Sequence, residues 1–503
     1  MAFFVNNILV GKLYCPSLLA KSTKENLMLK LSPLCLAAVL VLQLPMAAVH
    51  AAPVSAALDQ AIAARIDAVV APHYKAGEPG ATLIVIKDGK TLLRKAYGMA
   101  DVGNKVTMQP GATLRLGSIT KQFTGVAIMM LADEGKLSVS DPITKFLPDY
   151  LTQGNIITIE HLLTHTSGIV SYTSKPDFDE RSNKHMSVSQ MIDYFKNDPL
   201  EFEPGTRFVY NNSGYFLLGA IIEKVSGQSY AKFVEQRIFA PLGMRHSAYE
   251  GHERELSQRA AGHSKDKGNF QPSAALSMSL PYAAGALVST VDDLARWDAA
   301  VSSGKLLKAA SWAQAFKPYT LADGTSTNYA YGWGVSEMRG AQVVSHGGGI
   351  NGFSTYALRI PEKNIYVALL TNADGGLAQP SYVAKKAAAV ALGDPYPELK
   401  AVRVDAAALD SVAGRYKIDE KTTRTVRRND DHLLMQRGER PAVALYPLGG
   451  DRFFLKDSLT EFKFVRDAKG VASEFVIEED GDKIIQPRIG DVAPASPPVA
   501  MPR

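Results

Sequence analysis

Leu116-Gly117-Ser118-Ile119-Thr120-Lys121 opens a run in which Phe123, Val126, Ala127, Met130 and Leu131 recur at helical spacing until Gly135 stops it. The pattern predicts an amphipathic helix over 118–134 with Ser118 at its start. Residues i and i+3 share a helix face, so the Lys121 side chain can reach the Ser118 hydroxyl. A serine at a helix N-terminus also turns its own backbone N–H toward any oxyanion formed there, within a favourable dipole field. A lysine held among apolar groups can shed its proton near neutral pH and act as a base. Alone, the same spacing also describes a capping serine beside a solvated lysine, so the rest of the chain has to decide.

Upstream, a helical pattern near 56–70 precedes two strand patterns, Thr82–Lys87 and Thr91–Ala96, around the Asp88-Gly89 hairpin signal. Downstream, strand patterns return at Gln342–Ser345, Gly352–Arg359 and Ile365–Leu370. The residues between are rich in helical periodicity, as at Ile159–Leu163, Ser187–Phe195, Gly214–Val225 and Val291–Val301. Strands at both ends of a helical middle imply an α+β domain: an antiparallel sheet flanked by helices, with a mostly helical subdomain.

The composition changes near Gly393-Asp394-Pro395-Tyr396-Pro397. Beyond it lie short alternating runs at 415–418, 424–427, 433–436, 442–446, 452–455, 461–465 and 473–478, the pattern of an all-β barrel or sandwich. The stretch from Gly490 is rich in Pro and Ala and is expected to be disordered.

The other end reads as a leader. Leu34–Leu42 is an uncharged apolar core after Lys30, and Val49-His50-Ala51 is a small-residue pattern suited to cleavage before Ala52. Met28 is a second candidate start. The expected organisation is therefore a signal peptide at 1–51, a catalytic domain at 52–395, a β-domain at 396–489 and a tail at 490–503. The whole chain carries 55 basic and 50 acidic side chains, a formal +5. Residues 1–51 hold four lysines and one glutamate, so the rest carries 51 basic against 49 acidic groups, +2. The basic excess thus lies mostly in the leader and gives no argument for a nucleic-acid or anionic-membrane partner. Both cysteines, Cys15 and Cys35, fall in the same stretch. The remainder therefore excludes disulfide scaffolds, thiol catalysis and metal–thiolate sites. A periplasmic or secreted location is expected, without stable membrane association once the leader is cleaved.

Two more motifs carry chemistry. Tyr210-Asn211-Asn212 follows Pro204-Gly205 and precedes an apolar helix. Its phenol can shuttle a proton and its Asn212 amide can bridge a substrate carbonyl and a lysine; as a bare string it is also good turn chemistry. His346-Gly347-Gly348-Gly349 lets a backbone approach a ligand closely and aim N–H groups at it, or forms a flexible hairpin loop.

In the order S-x-x-K, Y-x-N, H-x-G, the three resemble the signature of the serine β-lactamase and penicillin-binding-protein superfamily. The branch with a Y-x-N second motif is the most similar: class C β-lactamases, D-aminopeptidases, DD-carboxypeptidases and esterases. Ile159–Gly168, Gly214–Gly219, Pro241-Leu242-Gly243-Met244 and Tyr331-Gly332-Trp333-Gly334 extend the resemblance over residues 60–390 or so. It implies Ser118 as the acylated nucleophile and Lys121 as its activator. Tyr210 would be the base toward Ser118 and later toward the deacylating water. Asn212 would orient substrate and Lys121. His346 and Gly348 would lie on a strand edge beside the substrate, with the Ser118 and Gly349 N–H groups as the oxyanion hole. No cofactor or metal is implied, and the partner is a small-molecule or short-peptide substrate.

His346 is a departure, because the family's third motif begins with a lysine that binds the substrate carboxylate. A largely neutral imidazole there moves the expectation from a dedicated β-lactamase or D-Ala-D-Ala carboxypeptidase toward cleavage of a small amide, peptide or ester. A non-catalytic binding protein retaining the fold is the alternative of another class. His161 and His165 are spaced i, i+4 but lack the glutamate of a zinc-protease helix, and they are not read as metal ligands.

Overall fold

The computed structural model describes residues 52–251, 256, 258–479 and 482–492. The expected leader lies outside the described residues, as does the tail beyond 492. Among the described residues no helix is long and apolar enough to cross a membrane.

The α+β architecture expected for the catalytic region is present. A six-stranded antiparallel sheet runs in the order Gly334–Met338, Ala341–Ile350, Phe353–Ile360, Ile365–Thr371, Ala81–Lys87, Lys90–Tyr97. The chain's early and late strands meet at its centre, where Ala81 pairs with Thr371 and Lys87 with Ile365. Asp88 (φ 50°) and Gly89 (φ 74°) are both left-handed, as a two-residue primed turn requires. Alternation along the central strand splits the core in two. Leu83 and Val85 pack with the helices Ala52–Val70 and Pro380–Leu392 on one face. Ile84 faces the helical subdomain on the other. Both faces of the sheet are therefore covered.

The helix that opens the argument differs from its expected form in one respect. Ser118 sits in a 3₁₀ turn, Gly117–Ile119, and the α-helix proper is Thr120–Asp133. Every residue from Thr120 to Leu131 is buried. The helix is not amphipathic on a surface. It runs through the centre of the domain, packed against the helices Asn212–Ser226 and Tyr282–Gly285, while the turn before it rests on the sheet. An all-round apolar or neutral composition is what such a position demands.

Beyond the short helix Ala406–Val412, eight antiparallel strands between Gly414 and Gly490 close into a barrel. Its interior is filled by Tyr416, Val426, Leu433, Leu445, Phe453, Phe462, Phe464 and Phe475. Seven of the strands coincide with the alternating runs. The eighth, Asp482–Gly490, closes the barrel against Arg415 and Tyr416. It carries Pro487 and no clean alternation, which hid it in the sequence.

Candidate active site

The serine turn is positioned by the sheet. The Leu116 carbonyl accepts a hydrogen bond from Thr355 Oγ1 at 2.8 Å, and Leu116 N–H donates to the Leu287 carbonyl at 2.9 Å. Here His346–Gly349 is not a loop. It is the second half of the strand Ala341–Ile350. A Cβ on Gly348 would lie 2.0 Å from the Leu116 carbonyl oxygen and 2.3 Å from Thr355 Oγ1. Only glycine lets the strand come this close to the turn, and Gly349 N then lies 3.1 Å from where a Cβ on Gly117 would be. The neighbouring strand Gly334–Met338 pairs only as far as Ser345. The strand edge from His346 to Ile350 therefore has no partner on that side where it passes the serine.

Lys121 is fully buried. Its Nζ is 3.0 Å from Ser118 Oγ, 2.9 Å from Asn212 Oδ1 and 3.0 Å from the Ala284 carbonyl oxygen. Asn212 begins the helix Asn212–Ser226, whose N-cap is Asn211, accepting from Gly214 N–H at 2.8 Å. Burial drives the Lys121 pKa far below the ordinary lysine value. The partner set fits a neutral amine. Asn212 Oδ1 and the Ala284 carbonyl can only accept, so they take the two amine hydrogens. The remaining lone pair then faces the one partner with a proton to give, Ser118. No carboxylate lies in this set of contacts to hold the lysine charged.

The Tyr210 ring lies 4.8 Å from Lys121 Nζ, and its side chain is within hydrogen-bonding reach of Ser118. Burial raises the phenol pKa and the Ser118 contact offsets part of the rise. The phenol is protonated at neutral pH in either case. The pair thus consists of a neutral amine and a neutral phenol, which makes Lys121 the better proton acceptor at rest.

His346 is held by contacts within the protein. Its Nδ1 lies 2.6 Å from the Gly347 carbonyl and must carry the hydrogen; its Nε2, 2.8 Å from Tyr329 Oη, then accepts from the phenol. Burial, with Lys121 nearby as a second cause, pushes its pKa down to about 3. Both nitrogens are used within the protein. A cavity of about 130 Å³ lies against Ser118 and is lined by Asn212 and Gly349 but not by His346 or Gly348. Gly348 is the point of closest approach between the strand and the turn.

His161 and His165 do not share a helix face, because the helix ends at Leu163. His161 closes a capping box with Thr158. His165 is left-handed (φ 58°), buried, and accepts the Asn211 N–H at Nδ1 over 3.1 Å. Its ring packs 4.3 Å from that of Tyr210 and 4.6 Å from that of Tyr329. With Nδ1 accepting, the hydrogen sits on Nε2, which has no partner in the structure. His165 thereby holds the Tyr210–Asn212 turn from behind. Among the described residues no cluster of three or more potential metal ligands occurs.

Sequence reading missed Ala284, which contributes only a carbonyl, and Tyr329, whose sole signal is its place beside Tyr331-Gly332-Trp333-Gly334. The loops flanking the site supply Tyr172, Thr173 and Phe178 on one side and Leu276 on the other.

This fold, with a serine, a buried lysine and a tyrosine converging at the end of the central helix, defines a serine hydrolase of the β-lactamase type. The family model described as Beta-lactamase matches residues 58–392, and the chain belongs to that family. Penicillin-binding protein 4* of Bacillus subtilis (strain 168) is 29% identical over 426 residues, covering 80% of this chain and 93% of that protein. The octameric penicillin-binding protein homologue from Pyrococcus abyssi superposes with a TM-score of 0.60 at 28% identity, over 86% of this chain and 99% of that one. A D-stereospecific amidohydrolase from Streptomyces sp. gives 0.54 at 27% identity, over 66% of this chain and 98% of that one.

Proposed function

We propose that the protein hydrolyses a small amide, peptide or ester through an acyl-enzyme on Ser118. The observation that carries the reading is the fully buried Lys121, bonded to Ser118, Asn212 and the Ala284 carbonyl with no carboxylate among its partners. As the Ser118 oxygen attacks the substrate carbonyl carbon, its proton passes to Lys121 Nζ. The resulting oxyanion lies between the backbone N–H groups of Ser118 and Gly349, a term worth about 3–4 kcal/mol per donor. Collapse expels the amine or alcohol, which leaves with the proton relayed by Lys121 and Tyr210. Water then attacks the acyl carbon, gives a proton back along the same route, and releases the carboxylic acid with Ser118 restored. Asn212 holds Lys121 in line and offers its amide to the substrate.

The relatives named above include an amidohydrolase and penicillin-binding proteins, which supports acyl transfer as the chemistry. Export, with 1–51 as a cleaved leader, belongs to the same reading. N-terminal sequencing of the protein recovered from an expressing cell's envelope tests it, and an uncleaved Met1 or Met28 start would oppose it. The catalytic reading is tested with a fluorophosphonate and peptide mass spectrometry. One adduct on Ser118, absent from Ser118→Ala, is expected; an unlabelled protein, or function retained in Ser118→Ala, would remove the reading.

A further inference from the structure

Residues other than glycine that hold a left-handed backbone are mostly exposed turn residues in this chain. Among the described residues only two of them are buried, His165 (φ 58°) and Tyr282 (φ 40°). His165 packs against Tyr210, as described above. Tyr282 touches neither Ser118 nor the proton route. A bulky aromatic residue at positive φ is strained, and it persists only where its surroundings impose the conformation.

The surroundings that impose it lie on the helix Asn212–Ser226. A Cβ on Gly219 would stand 2.4 Å from Tyr282 Cε1 and 2.5 Å from Ala283 Cβ, so only glycine admits the ring at this place. The rings of Phe216, Tyr230 and Tyr249 close the slot, with centroids 4.8, 5.3 and 6.3 Å from that of Tyr282.

The residues that follow are all turned toward the central helix. The Ala283 carbonyl accepts from Thr124 Oγ1 at 2.6 Å, and the Ala284 carbonyl accepts from Lys121 Nζ at 3.0 Å. Gly285 lines the cleft beside Ser118, and Leu287 N–H donates to Thr120 Oγ1 at 3.2 Å. The left-handed Tyr282 sets the direction in which this segment runs along the helix Thr120–Asp133. A right-handed Tyr282 would swing either its ring out of the slot or the two carbonyls away from their donors.

We infer that Tyr282 is a positioning residue for the chemistry at Ser118. Its ring, locked over Gly219, holds the backbone left-handed, and that backbone aims the Ala284 carbonyl at Lys121. The inference rests on the acyl-enzyme reading and adds to it the element that fixes the lysine's contact with the main chain. With the carbonyl in place, the amine keeps its lone pair toward Ser118. Without it the amine rotates, and a hydrogen faces the serine for part of the time.

The test measures the rate of Ser118 labelling by a fluorophosphonate in the full chain, per folded molecule, with folding followed by scanning calorimetry. Tyr282→Phe keeps the ring and is expected to label within about threefold of the unaltered protein. Tyr282→Ala loses the lock and still resists a positive φ, so labelling is expected to slow about 30-fold. Tyr282→Gly loses the same ring but accepts the left-handed backbone freely, and is expected to label at least about fivefold faster than Tyr282→Ala. An ordinary helix position gives the reverse order. Gly219→Ala improves helix propensity yet displaces the ring, and is expected to slow labelling about tenfold. It carries the test if Tyr282→Ala does not fold, and an unchanged rate then overturns the inference. In a Lys121→Met background, Tyr282→Ala is expected to change the rate by less than about threefold, because the contact through which it acts is already gone. Tyr282→Ala as fast as the unaltered protein, Tyr282→Gly no faster than Tyr282→Ala, or an undiminished loss in the Lys121→Met background each overturns the inference. The unaltered protein separates the two levels. Labelled protein with insensitive Tyr282 variants overturns this inference alone, and unlabelled protein overturns the acyl-enzyme reading and this inference with it.

Discussion

Two buried basic side chains, one in each part of the molecule, have almost opposite fates. Lys121 is fully enclosed at the end of the central helix and Arg424 is only 8% exposed inside the barrel. Neither has a carboxylate among its hydrogen-bond partners. Arg424 donates Nε to Gln486 Oε1 at 2.7 Å, reaches Met435 Sδ with Nη1, and stacks over the Phe475 ring at 5.3 Å. Burial lowers both, yet the guanidinium falls only to about 10 and keeps its proton at neutral pH, whereas the amine is driven far down. A delocalised guanidinium tolerates aromatic and amide neighbours and stays charged; a compact ammonium does not. The same physical setting therefore leaves one residue a charged structural strut and favours the uncharged amine in the other.

The comparison is broken most directly by exchanging the lysine. Lys121→Met keeps length and apolar stem but removes the lone pair aimed at Ser118. Acylation of Ser118 by a fluorophosphonate is expected to slow by about 10³-fold or more. Lys121→Arg is expected to be no better, because a guanidinium cannot accept the serine proton. The neutral-amine reading also fixes a sign. The active form is deprotonated, so kcat/KM falls as pH drops through the lowered Lys121 pKa and is sustained above it. His346, pushed to about 3, adds no inflection between pH 5 and 9. A profile that rises only in the ordinary lysine range would place a charged Lys121 in the resting site and contradict the comparison.

A smaller effect tests what holds the lysine's surroundings. His165→Phe retains a ring against Tyr210 but leaves the Asn211 N–H without its acceptor and puts a poorly suited side chain at a left-handed φ. The turn carrying Tyr210 and Asn212 loses its rear support, and the acylation rate is expected to fall between about 10- and 100-fold. His165→Asn returns an acceptor oxygen near the Nδ1 position and tolerates the backbone, so it is expected to recover part of that loss. Loss of thermal stability with no change in the acylation rate of folded His165→Phe would reduce His165 to a packing residue.

These residues were unequally legible. Ser118, Lys121, Tyr210 and Asn212 announce themselves because each contributes a side chain whose chemistry is uncommon at that spacing. The Ala284 carbonyl reaches Lys121 across 163 residues of chain and has no residue-type signature at all. His165 carries the right chemical group, but helical spacing in the sequence pairs it with His161. The left-handed turn after Leu163 breaks that spacing and sends its ring into the site. His346–Gly349 is readable as close-approach chemistry, but consecutive glycines cannot say whether they form a loop or a strand. Contact with Leu116 and Thr355 makes them a strand. The barrel showed seven of its strands by alternation and concealed the one interrupted by Pro487.

The mildest prediction concerns Arg424, and it is where the comparison can be sharpened. Arg424→Met removes a buried charge but leaves Gln486 Oε1, itself buried, without a donor. The stranded carbonyl is expected to destabilise the barrel by about 1–3 kcal/mol. Arg424→Met combined with Gln486→Leu removes both polar groups at once, and an apolar pair of similar volume is expected to restore stability or exceed it. All three tryptophans, Trp297, Trp312 and Trp333, lie in the catalytic domain, so scanning calorimetry rather than tryptophan fluorescence has to follow the barrel. Neither variant should alter the acylation rate of Ser118 per folded molecule. If Arg424→Met slowed acylation as Lys121→Met does, the guanidinium would have a role at the active site that its contacts in the barrel do not provide. The two buried basic side chains would then belong to one functional system rather than two separate solutions to burial.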